Sequence, residues 1–335
     1  MNLVKRNNNY HSNIIENFLF SGVASDLVTV VKNPWLRIMR PFNCFLLSMC
    51  AIVGWIAAKG ITAFTEQWPV LIMTFIGGWA LSAAAMILND YFDIEIDKIN
   101  QPQRPIPNGE IQPKTALTVG IILIAIGILM GLGIDLYSFY ALAGVFGVAL
   151  VTAIICTILL IVYTNYMKRY SLLGNFGVSL GVWLGFMYGD LVIDFTFDVF
   201  PETLGFAAFI LNFGREIMKG IMDIEGDSKN GVTTVATALG VMPTAIISAT
   251  TYILAIVSAL IPIFIAGASW VYAASISVAL TMALICAVWV LIDQSRRSIV
   301  IIKTIVLYTM LAALVAFALE ALVGIGLPDL IPAIV

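Results

Sequence analysis

The stretch Asn89-Asp90-Tyr91-Phe92-Asp93-Ile94-Glu95-Ile96-Asp97 puts five acidic or amide side chains where a long apolar run ends. A second acidic knot, Asp223-Ile224-Glu225-Gly226-Asp227, ends a later one. Carboxylates at membrane depth are costly and mark function by default. Two such clusters in a nearly all-apolar chain point to a divalent-metal site. The single histidine, His11, removes His-based zinc sites and His general-base chemistry. The metal is then a hard ion held by oxygen, and Mg²⁺ fits best. The four cysteines, Cys44, Cys50, Cys156 and Cys286, are scattered without metal-ligand spacing and read as small core residues.

Asn89, Asp93 and Asp97 are spaced i, i+4, i+8, which on a helix makes one slowly drifting stripe, with Asp90 beside it. Such a stripe suits Mg²⁺, which is commonly held by carboxylates together with substrate phosphates. The bland alternative is a solvated acidic helix end. Aspartates near a helix C-terminus oppose the macrodipole, however, and call for a compensating cation. Beyond the stripe, Pro102, Pro105, Pro107 and Gly109 end the helix and stiffen a loop that can hold Arg104 toward the acids, where it could take a phosphate bidentately. In the second cluster Arg215, Lys219, Asp223 and Asp227 are each four apart, two cations followed by two anions along one helix face. A chain of intrahelical ion pairs is the bland reading there.

The elements that must position these residues are membrane helices. The chain is 61% hydrophobic and 11% charged, which excludes an ordinary soluble domain of 335 residues. Runs of this length favour helices over a spanning barrel, and a net charge of −3 offers no footprint for nucleic acid. Nine apolar segments are expected, at 42–64, 68–90, 115–134, 137–162, 171–191, 203–222, 243–266, 268–292 and 301–325. This predicts an all-α polytopic membrane protein, nine transmembrane helices around a central cavity. Of the 17 Lys and Arg, all but Lys59 then fall on one side. By the positive-inside rule the N-terminus is cytoplasmic, the C-terminus extracytoplasmic and both acidic clusters face the cytoplasm. Residues 1–33 read as a polar cytosolic or interfacial extension without a cleavable signal, ahead of a membrane domain over 34–335. Gly177, Gly181, Gly185 and Gly189 repeat every four residues, either for close helix packing or as a smooth wall for a long apolar ligand. Glu320 is a lone acid in the ninth segment with no assigned role.

The pattern Asn-Asp-x-x-Asp-x-x-x-Asp-x-x-Asn-x-Pro-x-Arg-Pro-Ile-Pro at 89–107 closely resembles the signature of the UbiA-type intramembrane prenyltransferases. The stretch from Gly214 through Asp227 to Thr234 is similar to that family's second motif, whose Asp pair holds a second Mg²⁺. It comes closest to the archaeal digeranylgeranylglyceryl phosphate synthases, although an Asp common there is replaced by Gly220. Tyr163 to Arg169 is similar to the central tyrosine-and-lysine motif, and Arg40 and Asn43 resemble a first-helix Arg/Asn pair. The resemblance covers roughly 36–325. It implies metal ligands at Asn89, Asp90, Asp93, Asp97, Asp223 and Asp227. It also implies phosphate or substrate contacts at Arg40, Asn43, Asp90, Arg104, Tyr163, Lys168, Arg169, Arg215 and Lys219.

The reaction so implied is Mg²⁺-dependent transfer of a geranylgeranyl group from its diphosphate to the hydroxyl of geranylgeranylglyceryl phosphate, with two Mg²⁺ ions and membrane lipid as surroundings. An allylic diphosphate ionises without a protein nucleophile, which suits a chain lacking catalytic His or reactive-Cys motifs. An aromatic quinone precursor or a chlorophyllide is the alternative acceptor. A cation transporter is a different class of reading. Against it, the acids gather at one membrane face, with no acidic relay across the bilayer.

Overall fold

The computed structural model describes residues 33–59, 63–142, 144–167, 171–191, 199–229 and 231–324. A short α1 (Pro34–Met39) leads into α2 (Pro41–Lys59) and α3 (Ala63–Phe92), followed by a short α4 (Ile94–Asn100). Then come α5 (Pro113–Ala141), α6 (Val148–Asn165), α7 (Ser171–Leu191) and α8 (Val199–Lys229). A one-turn α9 (Val235–Leu239) precedes α10 (Val241–Ile265), α11 (Trp270–Ile292) and α12 (Arg296–Gly324). A chain this apolar becomes helical because lipid offers no partner for free backbone N–H and C=O groups, and a helix satisfies its own. Outward-facing Ile121, Leu129, Val257 and Val278 are each more than half exposed, the apolar surface that lipid covers.

Among the described residues, six helices are long and apolar enough to cross a membrane. Of the other three that match expected segments, α2 and α6 are apolar but shorter. The third, α8, carries Glu202, Arg215, Glu216, Lys219, Asp223, Glu225 and Asp227. The expected fourth segment, 137–162, is displaced. Helix α5 runs on to Ala141 and α6 begins only at Val148. Asp135 decides this boundary. Its buried carboxylate accepts the backbone N–H groups of Ala149 and Leu150, at 2.9 Å each, and so caps the start of α6 from the neighbouring helix. Glu320 does the same for α11, accepting from the Ser269 N–H at 2.7 Å and from its hydroxyl.

The glycine repeat of α7 divides by depth. A Cβ at Gly189 would run into the Ala51 carbonyl of α2, and one at Gly54 would lie 2.6 Å from the Phe186 oxygen of α7. Here the two backbones touch, as small residues allow in membranes. Gly181 has open space before it and lines an internal cavity together with Gly177 and Gly185. Close packing therefore holds at Gly189, while Gly181 borders open space. Gly189→Ala should lower stability by about 1–3 kcal/mol through overpacking. Gly181→Ala should be neutral. Thermal melting of the two purified variants checks the contrast.

Candidate active site

Arg40 brings the parts of the site together. It joins α1 to α2 in a left-handed conformation (φ 51°, ψ 68°), unusual for a residue with a side chain. Its Nη2 donates to Asp90 Oδ1 at 2.5 Å, and Nη1 reaches Met86 Sδ at 3.4 Å, both near the end of α3. Arg104 comes from the opposite side. Its Nη1 donates to Asp90 Oδ1 at 3.1 Å and to Asp97 Oδ2 at 2.5 Å. One buried aspartate is thus held by two guanidinium groups, one placed by a helix junction and the other by the proline-rich loop.

That loop is anchored. Ile106 and Ile111 are buried against Ile38 of α1, Ile87 of α3 and Ala116 of α5. Arg37 clamps it from α1, donating to both Glu110 carboxylate oxygens at 3.0 and 2.8 Å and to the Gln103 carbonyl at 2.6 Å. These bonds, with one from Asn108, hold the Glu110 carboxyl below the usual range. Arg104 was expected to meet phosphate. The structure pairs it with the acids, because an unpaired guanidinium beside buried carboxylates costs more than the pair.

The helix does not run straight through the acidic stripe. It breaks at Asp93 (φ −94°, ψ 8°), and α4 starts afresh. The amide bonds Asp93 N to Asn89 O and Asp97 N to Asp93 O, at 3.0 and 2.7 Å, keep the turn and hence the facing of the side chains. Asp90, Asp93 and Asp97 are buried while Glu95 is exposed. Asn89 turns aside into the cavity. Burial pushes the Asp97 carboxyl up to about 6, against the pull of Arg104 and helped by the nearby Asp90 charge.

The second motif lies on one unbroken helix, α8, as its spacing predicts, and α8 packs against α4 and α2. The cations of the stripe do not pair with its own anions. Arg215 and Lys219 share Glu216, at 2.8 and 2.6 Å. Glu216 stands off the i, i+4 stripe and was not anticipated. Asp227 is buried, and Asp223 Oδ1 is buried without a hydrogen-bond partner. Lys303 of α12 was counted in the sequence only as a membrane-side charge. It lies within electrostatic reach of Lys219, Arg215, Arg40 and Asp223.

The cavity, about 270 Å³, opens beside these acids. Arg40, Asn89 and Tyr163 form its polar mouth, and the rest is walled mostly by apolar and small residues of α2, α3, α5, α6 and α7. Asn43, in the first turn of α2, does not line it. Lys168 and Arg169 lie outside the described residues. Among the described residues no three carboxylates form a ready-made metal cage. The donor chemistry still fits Mg²⁺, because Mg²⁺ takes only a few carboxylates and completes its shell with water and substrate phosphate. The orphaned Asp223 oxygen is what such an ion would satisfy. Asp90→Ala takes away the carboxylate of Arg40, leaves Arg104 with Asp97 alone, and should cost about 1–3 kcal/mol. A melting temperature unchanged from wild type would show that the pair is not holding the loop.

The UbiA prenyltransferase family matches residues 46–310. The digeranylgeranylglyceryl phosphate synthase of Methanosphaera stadtmanae is 32% identical over 295 residues, 87% of this chain and 100% of that protein. The same enzyme of Thermococcus kodakarensis is 31% identical over 86% of this chain and 98% of its own. Among solved structures, one described as digeranylgeranylglyceryl phosphate synthase in membranes superposes with a TM-score of 0.63 at 24% identity, over 86% of this chain and 97% of that one. A UbiA homolog from Archaeoglobus fulgidus bound to GPP and Mg²⁺ does so at 0.58 and 15% identity, over 85% and 99%. With two acidic motifs at one end of a helical bundle and a family match across most of its length, the chain belongs to the UbiA prenyltransferase family.

Proposed function

We propose that this enzyme transfers a geranylgeranyl group from geranylgeranyl diphosphate to the hydroxyl of geranylgeranylglyceryl phosphate, releasing diphosphate, in the assembly of archaeal-type ether lipids. The observation that carries the reading is a polar mouth of Arg40, Asn89 and Tyr163 over an apolar cavity, with the helix of the second acidic motif packed against α2 and α4. The acceptor follows the relatives named for that activity. The A. fulgidus homolog, bound to GPP and Mg²⁺, supports the metal. We assign Mg²⁺, as two ions, to Asn89, Asp90, Asp93 and Asp97 on one side and Asp223 and Asp227 on the other.

Mg²⁺ held by these carboxylates would supply the charge that neutralises the departing diphosphate. Arg40 and Arg104, which stand beside these carboxylates, would hold the phosphate oxygens through their guanidinium groups. Lys168, Arg169 and Asn43 are carried as further substrate contacts on the family resemblance alone, and Tyr163 lines the cavity. The apolar walls hold the isoprenoid tail and exclude the water that would quench an allylic cation. The acceptor hydroxyl attacks C1 of the allyl group as the C–O bond to diphosphate breaks, and its proton leaves to a carboxylate or to the diphosphate. In the membrane, nine spans place the site at the cytoplasmic face, the N-terminus inside and the C-terminus outside. Residues 1–33 form an extension to the domain of 34–335.

Asp93→Ala and Asp227→Ala should each lower Mg²⁺-dependent diphosphate release by at least about 100-fold in protein that still folds. Full activity in both would remove the metal assignment. A panel of acceptors with radiolabelled donor tests the substrate, and product on an aromatic acceptor alone would replace the lipid reading. Gly181→Phe projects a ring into the cavity. It should lower kcat/KM for geranylgeranyl diphosphate by about tenfold or more and spare a short donor such as dimethylallyl diphosphate.

A further inference from the structure

Lys303 belongs to neither acidic motif, yet it stands at the site. It lies half-buried in the second turn of α12, and its backbone carbonyl accepts a hydrogen bond from Arg215 Nε at 3.3 Å. Its ammonium is repelled by Lys219, Arg215 and Arg40 and attracted by Asp223. Among the described residues it makes no ion pair of its own, whereas Arg40 is paired with Asp90, and Arg215 and Lys219 divide Glu216 between them. Three cations from α8 and α12 therefore face one full carboxylate, Glu216, and one carboxylate, Asp223, that the second acidic motif claims. Gathering like charges in a part-buried place is unfavourable unless an anion completes it.

This positive cluster is separate from the mouth of the apolar cavity. That cavity is lined from Arg40 and α2, α3, α5, α6 and α7, and no residue of α8 or α12 reaches it. A donor whose tail fills the cavity presents its diphosphate at Arg40, Asn89 and Tyr163. The cluster on α8 and α12 lies outside that lining, within electrostatic reach of Arg40. A second anion, carrying close to two negative charges, matches its unbalanced charge. A phosphate monoester has that charge at neutral pH.

We propose that Lys303, with Arg215 and Lys219, binds the phosphate monoester of the acceptor lipid, at a position distinct from the donor diphosphate. The inference rests on the function proposed above and adds the residue that selects a phosphorylated acceptor. Lys303 holds the phosphate through one charge-assisted contact, and the acceptor's hydroxyl end is thereby presented between the two acidic motifs.

Steady-state kinetics of the full chain in phosphatidylcholine vesicles test this. The donor is geranylgeranyl diphosphate, and the acceptors are geranylgeranylglyceryl phosphate and its dephosphorylated alcohol. Lys303→Met should raise KM for the phosphorylated acceptor by about tenfold or more, leave the donor KM within about twofold and turn over the alcohol as wild type does. Lys303→Arg should restore part of the acceptor affinity. Lys303→Gln is read the same way if the methionine variant does not purify folded. An unchanged acceptor KM, or a rise in donor KM in its place, overturns the proposal while the proposed reaction stands. Wild-type protein that prenylates neither acceptor overturns the reaction itself, and the acceptor site with it.

Discussion

Asp90 is the constraint around which the site is built. Its carboxylate is buried at the inner end of an apolar helix, where an uncompensated charge could not be kept. Arg40 and Arg104 compensate it from opposite sides, and each is held by its own piece of structure. Arg40 depends on the left-handed junction between α1 and α2. Arg104 depends on a loop pinned by Ile106, Ile111 and the Arg37–Glu110 clamp. The charge on one side chain thus fixes the loop, the first two helices and the end of α3 relative to one another.

The same pairing explains how buried carboxylates are kept so close together. Carboxylates gathered for a divalent ion repel one another unless cations stand in. Here the guanidinium groups of Arg40 and Arg104 do so. The break at Asp93 serves this arrangement. It turns α4 so that Asp97 meets Arg104 and packs against α8, bringing the two acidic motifs to the same end of the bundle.

Much of this was legible in order along the chain. Apolar run length marked the long helices, because each satisfies its own hydrogen bonds and needs only lipid around it. Four-residue spacing placed Arg215, Lys219, Asp223 and Asp227 on one helix, and the chain forms that helix without a break. Periodicity did not foresee the break at Asp93, since i to i−4 bonds persist across it and the facing of the acids survives. It also mistook the boundary between α5 and α6, which a carboxylate on the other helix determines. The glycine repeat spelled small residues without saying what stood opposite, backbone at Gly189 and open cavity at Gly181.

The sequence by itself determined the chemistry: which residues are acids, which cations and prolines follow them, and that the chain is helical and made for lipid. These are local properties, set by residue type and spacing. Only the tertiary structure decided the pairings. Arg40 reaches Asp90 across fifty positions, Arg215 and Lys219 turn to Glu216 rather than to their own stripe, and Lys303 joins them from the last helix. Charge acts through space, so its partners depend on which helices pack together, and spacing within one helix carries no record of that.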